Sequence, residues 1–172
     1  MSNFIYGLSR AMAWFGGVVL TLIALVSVAS IVGRALSGYG LAPVPGDFEL
    51  VEAGTALAVF SFLPLAQLRR GHASVDLFWS LYPVPLQRLL EGLADALMLT
   101  VWLLLVWRMG VAMLDYRANG EVTFILQFPV WWGYAASMPL AVFGCIVYAW
   151  RLAEDLGLAR PPAHNLAAAG HL

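Results

Sequence analysis

Four long apolar stretches separated by short polar segments dominate the pattern of hydrophobic and polar positions along the chain. They occupy about residues 11–33, 48–68, 86–116 and 128–150. A helix rises about 1.5 Å per residue, so each stretch is long enough to cross a hydrocarbon core of about 30 Å. The first exceeds the roughly 7–15 apolar residues of a signal peptide, and no cleavage-site pattern follows it. The pattern therefore predicts four retained transmembrane helices.

A polar segment, RRGHASVDLF, follows the second stretch and opens the connection to the third. Arg69 and Arg70 are expected to reach lipid phosphates at the membrane face. His72 and Asp76 are four residues apart and belong to the polar side of a short amphipathic helix, predicted at about residues 74–83 in the membrane interface. A catalytic or ligand role for His72 lacks a second site-forming residue.

Composition supports a membrane protein. The 172 residues are 62% hydrophobic and 11% charged, with a mean hydropathy of +0.82, whereas a soluble domain carries about 25% charged residues. The net charge of −1 argues against a nucleic-acid partner. The chain is thus predicted to be an all-α membrane protein forming a single membrane domain, residues 1–172, with a flexible tail over about residues 158–172.

Candidate chemistry is sparse, which argues against an enzyme. Cys145 is the only cysteine, so the chain offers no intrachain disulfide and no cysteine-based metal site. The three histidines lie outside the predicted spans, where they cannot ligate haem between facing helices. No catalytic, substrate-binding or metal-binding residue and no cofactor is predicted.

Arginine placement predicts the orientation, because cytoplasmic loops are enriched in basic residues. Both termini are expected to be cytoplasmic. The cytoplasmic side then carries Arg10, Arg69, Arg70, Arg88, Arg151 and Arg160, and the outer side carries Arg34 and Arg117, with Arg108 near that end of the third span.

No predicted span carries a charge at its middle, so the chain alone is a poor candidate for a solute pathway. At the outer side, Arg34 is expected to pair with Glu49 or Glu52 and to close the first hairpin.

At the cytoplasmic side, Arg88, Glu91 and Asp95 share one face of the third helix because they are three and four residues apart. These three side chains are interpreted either as an intrahelical charge pattern or as a contact with a partner subunit.

The order of several motifs resembles a known family. An Arg after the first span (Arg34) is followed by PGDFELVE, which contains Glu49 and Glu52, by RRGHASVDLF, and by FPVWWGY at the start of the last span. Over roughly residues 10–152 the chain resembles the small, DctQ-type membrane subunit of tripartite ATP-independent periplasmic (TRAP) transporters. The segment RRGHASVDLF, termed the elbow, is the most specific part, with His72, Val75 and Asp76.

The resemblance implies a secondary-active transporter of the bacterial inner membrane that imports an organic acid. A separate large membrane subunit would hold the substrate and sodium sites and move as an elevator, and a periplasmic binding protein would deliver the solute. The small subunit would form a heterodimer with the large one, contact membrane lipids, and act as a stator that stabilises the stationary scaffold.

A second function class stays open, a self-contained homo-oligomeric channel or small transporter. Its polar lining would come from Thr55, Ser61 and Gln67 on the second span. Small residues predict close helix contacts, either with a partner or within the chain. They are Gly16, Gly17, Ala53, Gly54, Ala56 and Ala58.

Overall fold

The structure, a computed structural model, describes residues 2–69 and 83–155. Within these residues it contains four long α-helices, a short 3-10 helix and no β-strand. The helices are α1 (Ser2–Ala35), the 3-10 helix (Ser37–Tyr39), α2 (Asp47–Leu68), α3 (Val84–Asn119) and α4 (Trp131–Asp155). All four α-helices are long and apolar enough to cross a membrane, which confirms the predicted all-α membrane fold.

Two predicted segments lie largely or wholly outside the described residues. They are the interfacial helix at about residues 74–83 and the tail at about residues 158–172. Three of the residues singled out at the elbow, Arg70, His72 and Asp76, also lie outside them.

The helices pack in the order α1, α2, α4, α3. The inner pair, α2 and α4, contains one proline each, Pro64 and Pro139. A helix tolerates an internal proline where neighbouring helices surround it, since the kink and the freed carbonyl are then covered. The two flanking helices, α1 and α3, expose many apolar side chains, and their exposure to water would be unfavourable. They include Trp14, Leu25 and Ile31 on α1 and Leu97, Leu104 and Trp107 on α3.

The α1–α2 contact depends on small residues. A Cβ added to Gly16 would lie 2.7 Å from the Cβ of Ser61, and a Cβ added to Gly54 would lie 2.5 Å from Cγ2 of Ile23. Ala58 is buried in the same contact region. These small side chains let two helices approach closely within this chain.

The α3–α4 contact is centred on Trp102, which is 4% exposed. Its indole Nε1 donates to the carbonyl oxygen of Ala141 at 2.9 Å, and its ring stacks on Tyr148 with 5.0 Å between centroids. Gly144 makes room for the indole, because an added Cβ would lie 2.5 Å from its ring. An indole N–H in an apolar layer requires an acceptor, so this bond fixes the ring between the helices.

Gly16→Ala is expected to destabilise the α1–α2 contact. The added methyl group would overlap Ser61, and overpacking of this kind costs about 1–3 kcal/mol. The measurement is the thermal or denaturant-induced unfolding of the purified full chain in a mild detergent.

Gly17→Ala is the matched control, because a Cβ at the neighbouring position meets no atom within 4 Å. Equal stability of the two variants would contradict the close contact at Gly16.

Candidate functional site

A hairpin-like loop joins α3 to α4 at the end of the bundle where α2 begins. The amide of Thr123 donates to the carbonyl oxygen of Phe128 at 2.9 Å, and the amide of Val130 donates to that of Glu121 at 3.0 Å. Gln127 adopts a left-handed backbone conformation with φ 55°. Because these amides bond across the loop, α4 begins at Trp131 although the apolar stretch starts at residue 128.

The carboxylate of Glu49 attaches this loop to the first turn of α2. It accepts hydrogen bonds from the backbone amides of Ile125 at 2.6 Å and Leu126 at 2.9 Å. The side chain of Leu126 also fills the space that a Cβ on Gly46 would occupy, and Gly46 itself has φ 72°. One acidic side chain therefore positions a loop more than seventy residues away in sequence.

Arg34 pairs with a different carboxylate from the two expected. Its Nη2 lies 3.7 Å from Oδ2 of Asp47, and the same oxygen accepts a 2.5 Å hydrogen bond from the hydroxyl of Ser30. Asp47 and Glu49 are two residues apart, about 200° around a helix, so they point to opposite sides. Asp47 faces α1, whereas Glu49 faces the loop, which explains why Glu49 is not the partner of Arg34.

At the opposite end, polar side chains connect α2 to its neighbours. The amide Nε2 of Gln67 donates to Oδ1 of Asp95 on α3 at 3.0 Å. Arg69 donates to the hydroxyl of Tyr6 on α1 at 3.0 Å, with its guanidinium 5.9 Å from the centroid of the ring. Asp95 thus reaches another helix of the same chain.

The remaining predicted candidates are placed on α3. Glu91 is partly buried, and Arg108 is exposed. Arg88 lies within α3, but its side chain is outside what the structure describes.

Sequence reasoning treated Arg151 only as an orientation signal. The structure buries it to 6% exposure, and its Nη1 donates to Oε2 of Glu154 at 2.6 Å. Trp150 donates from Nε1 to the other oxygen of Glu154 at 2.7 Å. The signal that could have found this cluster is the i, i+3 spacing of Arg151 and Glu154, which brings the two side chains together on a helix.

Sequence reasoning also missed a cavity of about 480 Å³ at the end of the bundle where α2 begins. It lies between α2, α3, α4 and the α3–α4 loop. Its lining includes Glu52, Ala53, Ala56, Phe60, Tyr134 and Ser137. The small side chains of Ala53 and Ala56, expected at a tight helix contact, instead line this space.

Within the described residues, no group of three or more His, Cys, Asp or Glu side chains is placed to hold a metal ion. The polar contacts at the two ends of the bundle are arranged to hold helices and a loop in position.

Comparison with known proteins identifies one family. A family model described as "Tripartite ATP-independent periplasmic transporters, DctQ component" matches residues 23–157. Neither a search of curated proteins nor a search of solved structures found a match. The matched region includes α2, α3, the α3–α4 loop, all of α4 and the C-terminal part of α1 from residue 23.

Glu49→Gln is expected to loosen the α3–α4 loop. An amide side chain has one acceptor oxygen and no charge, and hydrogen bonds to a charged group contribute about 1.5–3 kcal/mol. Hydrogen exchange at the amides of Ile125 and Leu126 should accelerate by about tenfold or more.

Glu52→Gln is the control, because the amides of Ile125 and Leu126 donate to the carboxylate of Glu49 and not to that of Glu52. If Glu52→Gln accelerated exchange at Ile125 and Leu126 as much as Glu49→Gln does, the carboxylate of Glu49 would not be what holds the loop.

Proposed function

The chain belongs to the DctQ family, the small component of TRAP transporters, and we propose that it is the stationary, scaffold-stabilising subunit of such a transporter. Family and helices together indicate a multi-pass protein of the bacterial inner membrane. In this proposal a separate large subunit carries the substrate and sodium sites and moves as an elevator. A periplasmic binding protein delivers an organic acid to it.

The observation that carries the proposal is the position of charge along the spans. On α3, Asp95 and Arg108 flank twelve uncharged residues, 96–107, which extend about 18 Å. On α2, Glu49 and Glu52 lie near the start, and the chain is uncharged from there to Arg69. A solute or ion pathway requires polar groups at the middle of the membrane, so these helices suit a supporting role.

The exposed apolar surface of α1 and α3 fits the same role. Because the bundle places these two helices on the outside, each offers a face to lipid or to a membrane partner. A subunit that enlarges the lipid-facing surface of a scaffold makes that scaffold harder to tilt while the moving part carries its load.

The alternative, a self-contained channel, loses two of its three candidate lining residues. Ser61 is fully buried and donates its hydroxyl to the carbonyl oxygen of Leu57 at 2.7 Å. Gln67 is buried and bonded to Asp95. Only Thr55 is exposed, and one hydroxyl does not make a polar pathway.

Affinity purification from native membranes tests the proposed assembly. The full chain, tagged and extracted in mild detergent, is expected to bring with it a much larger multi-span protein in equal amount. Recovery of the chain alone as a defined homo-oligomer would overturn the stator proposal and favour the channel.

Cysteine labelling tests the proposed orientation, with both termini cytoplasmic. In a Cys145→Ser background, Ser37→Cys at the outer turn should react with a membrane-impermeant maleimide on intact spheroplasts. Asn3→Cys, near the start of α1, should react only after lysis. Reaction at Asn3→Cys in intact spheroplasts would reverse the topology.

A further inference from the structure

The cavity at the outer side has the size of a small-molecule site. Its volume of about 480 Å³ lies within the range of about 300–1,000 Å³ that ligand pockets occupy. Most of its lining is apolar, including the rings of Phe60, Phe124 and Phe128. Its polar groups are few, which is the composition of a site that orients an apolar ligand by a small number of contacts.

Ser137 supplies one of these polar groups and has no partner. It is 2% exposed, lines the cavity, and its hydroxyl makes no hydrogen bond in the structure. Other helical hydroxyls behave differently: those of Ser27, Ser61 and Thr100 each donate to the carbonyl four residues earlier. A buried unpaired hydroxyl is unfavourable, so a ligand that offers a polar atom to Ser137 from within the cavity would be favoured.

Glu52 supplies a negative charge to the lining of the cavity. Its carboxylate borders the cavity, and it forms no ion pair among the residues that the structure describes. Tyr134 lines the same cavity. The neighbouring acid, Glu49, is already committed to two loop amides. Glu52 is therefore the carboxylate of the cavity that remains available to a cation.

A free carboxylate beside several aromatic rings favours one class of ligand. Organic ammonium ions are attracted both by a negative charge and by the faces of aromatic rings. Because the lining is apolar, the ligand should also have a hydrophobic body. Because the hydroxyl of Ser137 is unpaired, the ligand should carry an oxygen or nitrogen atom that can form a hydrogen bond with it.

We propose that this cavity binds an amphiphilic amine. Its ammonium group pairs with Glu52, its apolar chain lies among Phe60, Phe124 and Phe128, and a polar atom near its head bonds to Ser137. Two sources share this chemistry, an ethanolamine phospholipid of the bilayer with one chain in the cavity, or a soluble long-chain amine from the outer side. The proposal does not depend on the transport role of the chain.

Native mass spectrometry of the full chain in a non-ionic maltoside detergent tests this proposal in two arms. In one, ethanolamine and glycerol phospholipids with identical chains are added in equal amounts. In the other, dodecylamine and dodecanoic acid are compared at equal concentration without phospholipid. We expect one ligand per chain and a preference of about tenfold or more for the ammonium compound, because the carboxylate and the aromatic rings both attract an ammonium group.

The two arms distinguish the sources. Retention of the ethanolamine lipid identifies the bilayer as the source, whereas retention of dodecylamine alone identifies a soluble amine. Equal retention of anionic and ammonium compounds in both arms would overturn the proposal, and so would absence of a bound ligand in both.

Variants locate the ligand within the chain. Glu52→Gln should abolish the preference for ammonium, and Ser137→Ala should weaken binding by about threefold, the value of one modest hydrogen bond. Ser9→Ala is the matched control, because Ser9 has an equally buried, unpaired hydroxyl that does not line the cavity.

Ala56→Leu provides a second, independent variant. It fills the cavity while leaving both acids in place, and it should abolish binding of either compound. The elution volume and unfolding temperature of each variant report whether it is folded. Unchanged ammonium preference in folded Glu52→Gln, or unchanged binding in folded Ala56→Leu, would place the ligand elsewhere and refute the site.

Discussion

A polar side chain that enters the hydrocarbon layer requires a hydrogen-bond partner within the protein, because no water is available there. This constraint determines where the helices of the chain are joined by polar contacts. Asp47 and Glu49 act at the start of α2, and Gln67 and Arg69 act at its other end. Between these ends, helix contacts depend on small residues and on one tethered indole. The bundle is thus braced at both faces of the membrane and closely packed in between.

The helices themselves could be predicted because a transmembrane span is specified locally, by some twenty consecutive apolar residues. The contact partners of individual side chains could not be predicted, since they depend on which way each residue faces after the helices have packed. Arg34 illustrates the difference: sequence order suggested Glu49 or Glu52, but the rotation of α2 presents Asp47 to α1. The cavity is a still less local property, because it forms where α2, α3, α4 and a loop fail to meet. Small side chains such as Ala53 are compatible with either a tight contact or an open space.

The small residues that pack helices within this chain cannot also contact a partner subunit. Gly16, Gly54 and Ala58 lie in the contact between α1 and α2, so they are not available to a partner. The apolar faces of α1 and α3 carry larger side chains, such as Leu25 and Leu104. A partner subunit that docks there would meet a surface rich in large side chains, which gives dispersion contacts over a broad area.

The proposed role as a stationary support favours a rigid bundle, and the cavity is a place where α2, α3 and α4 leave space between them. Around Trp102 the helices are in direct contact through stacked rings and a hydrogen bond. Nearer the start of α2, the cavity lies between α2, α3 and α4, and the loop held by Glu49 borders it. A ligand seated among the aromatic rings would restore the missing contacts between α2, α3 and α4. Because Glu52 and Ser137 lie on the two inner helices, a single bound molecule that pairs with both would stiffen the part of the bundle that its own side chains leave open.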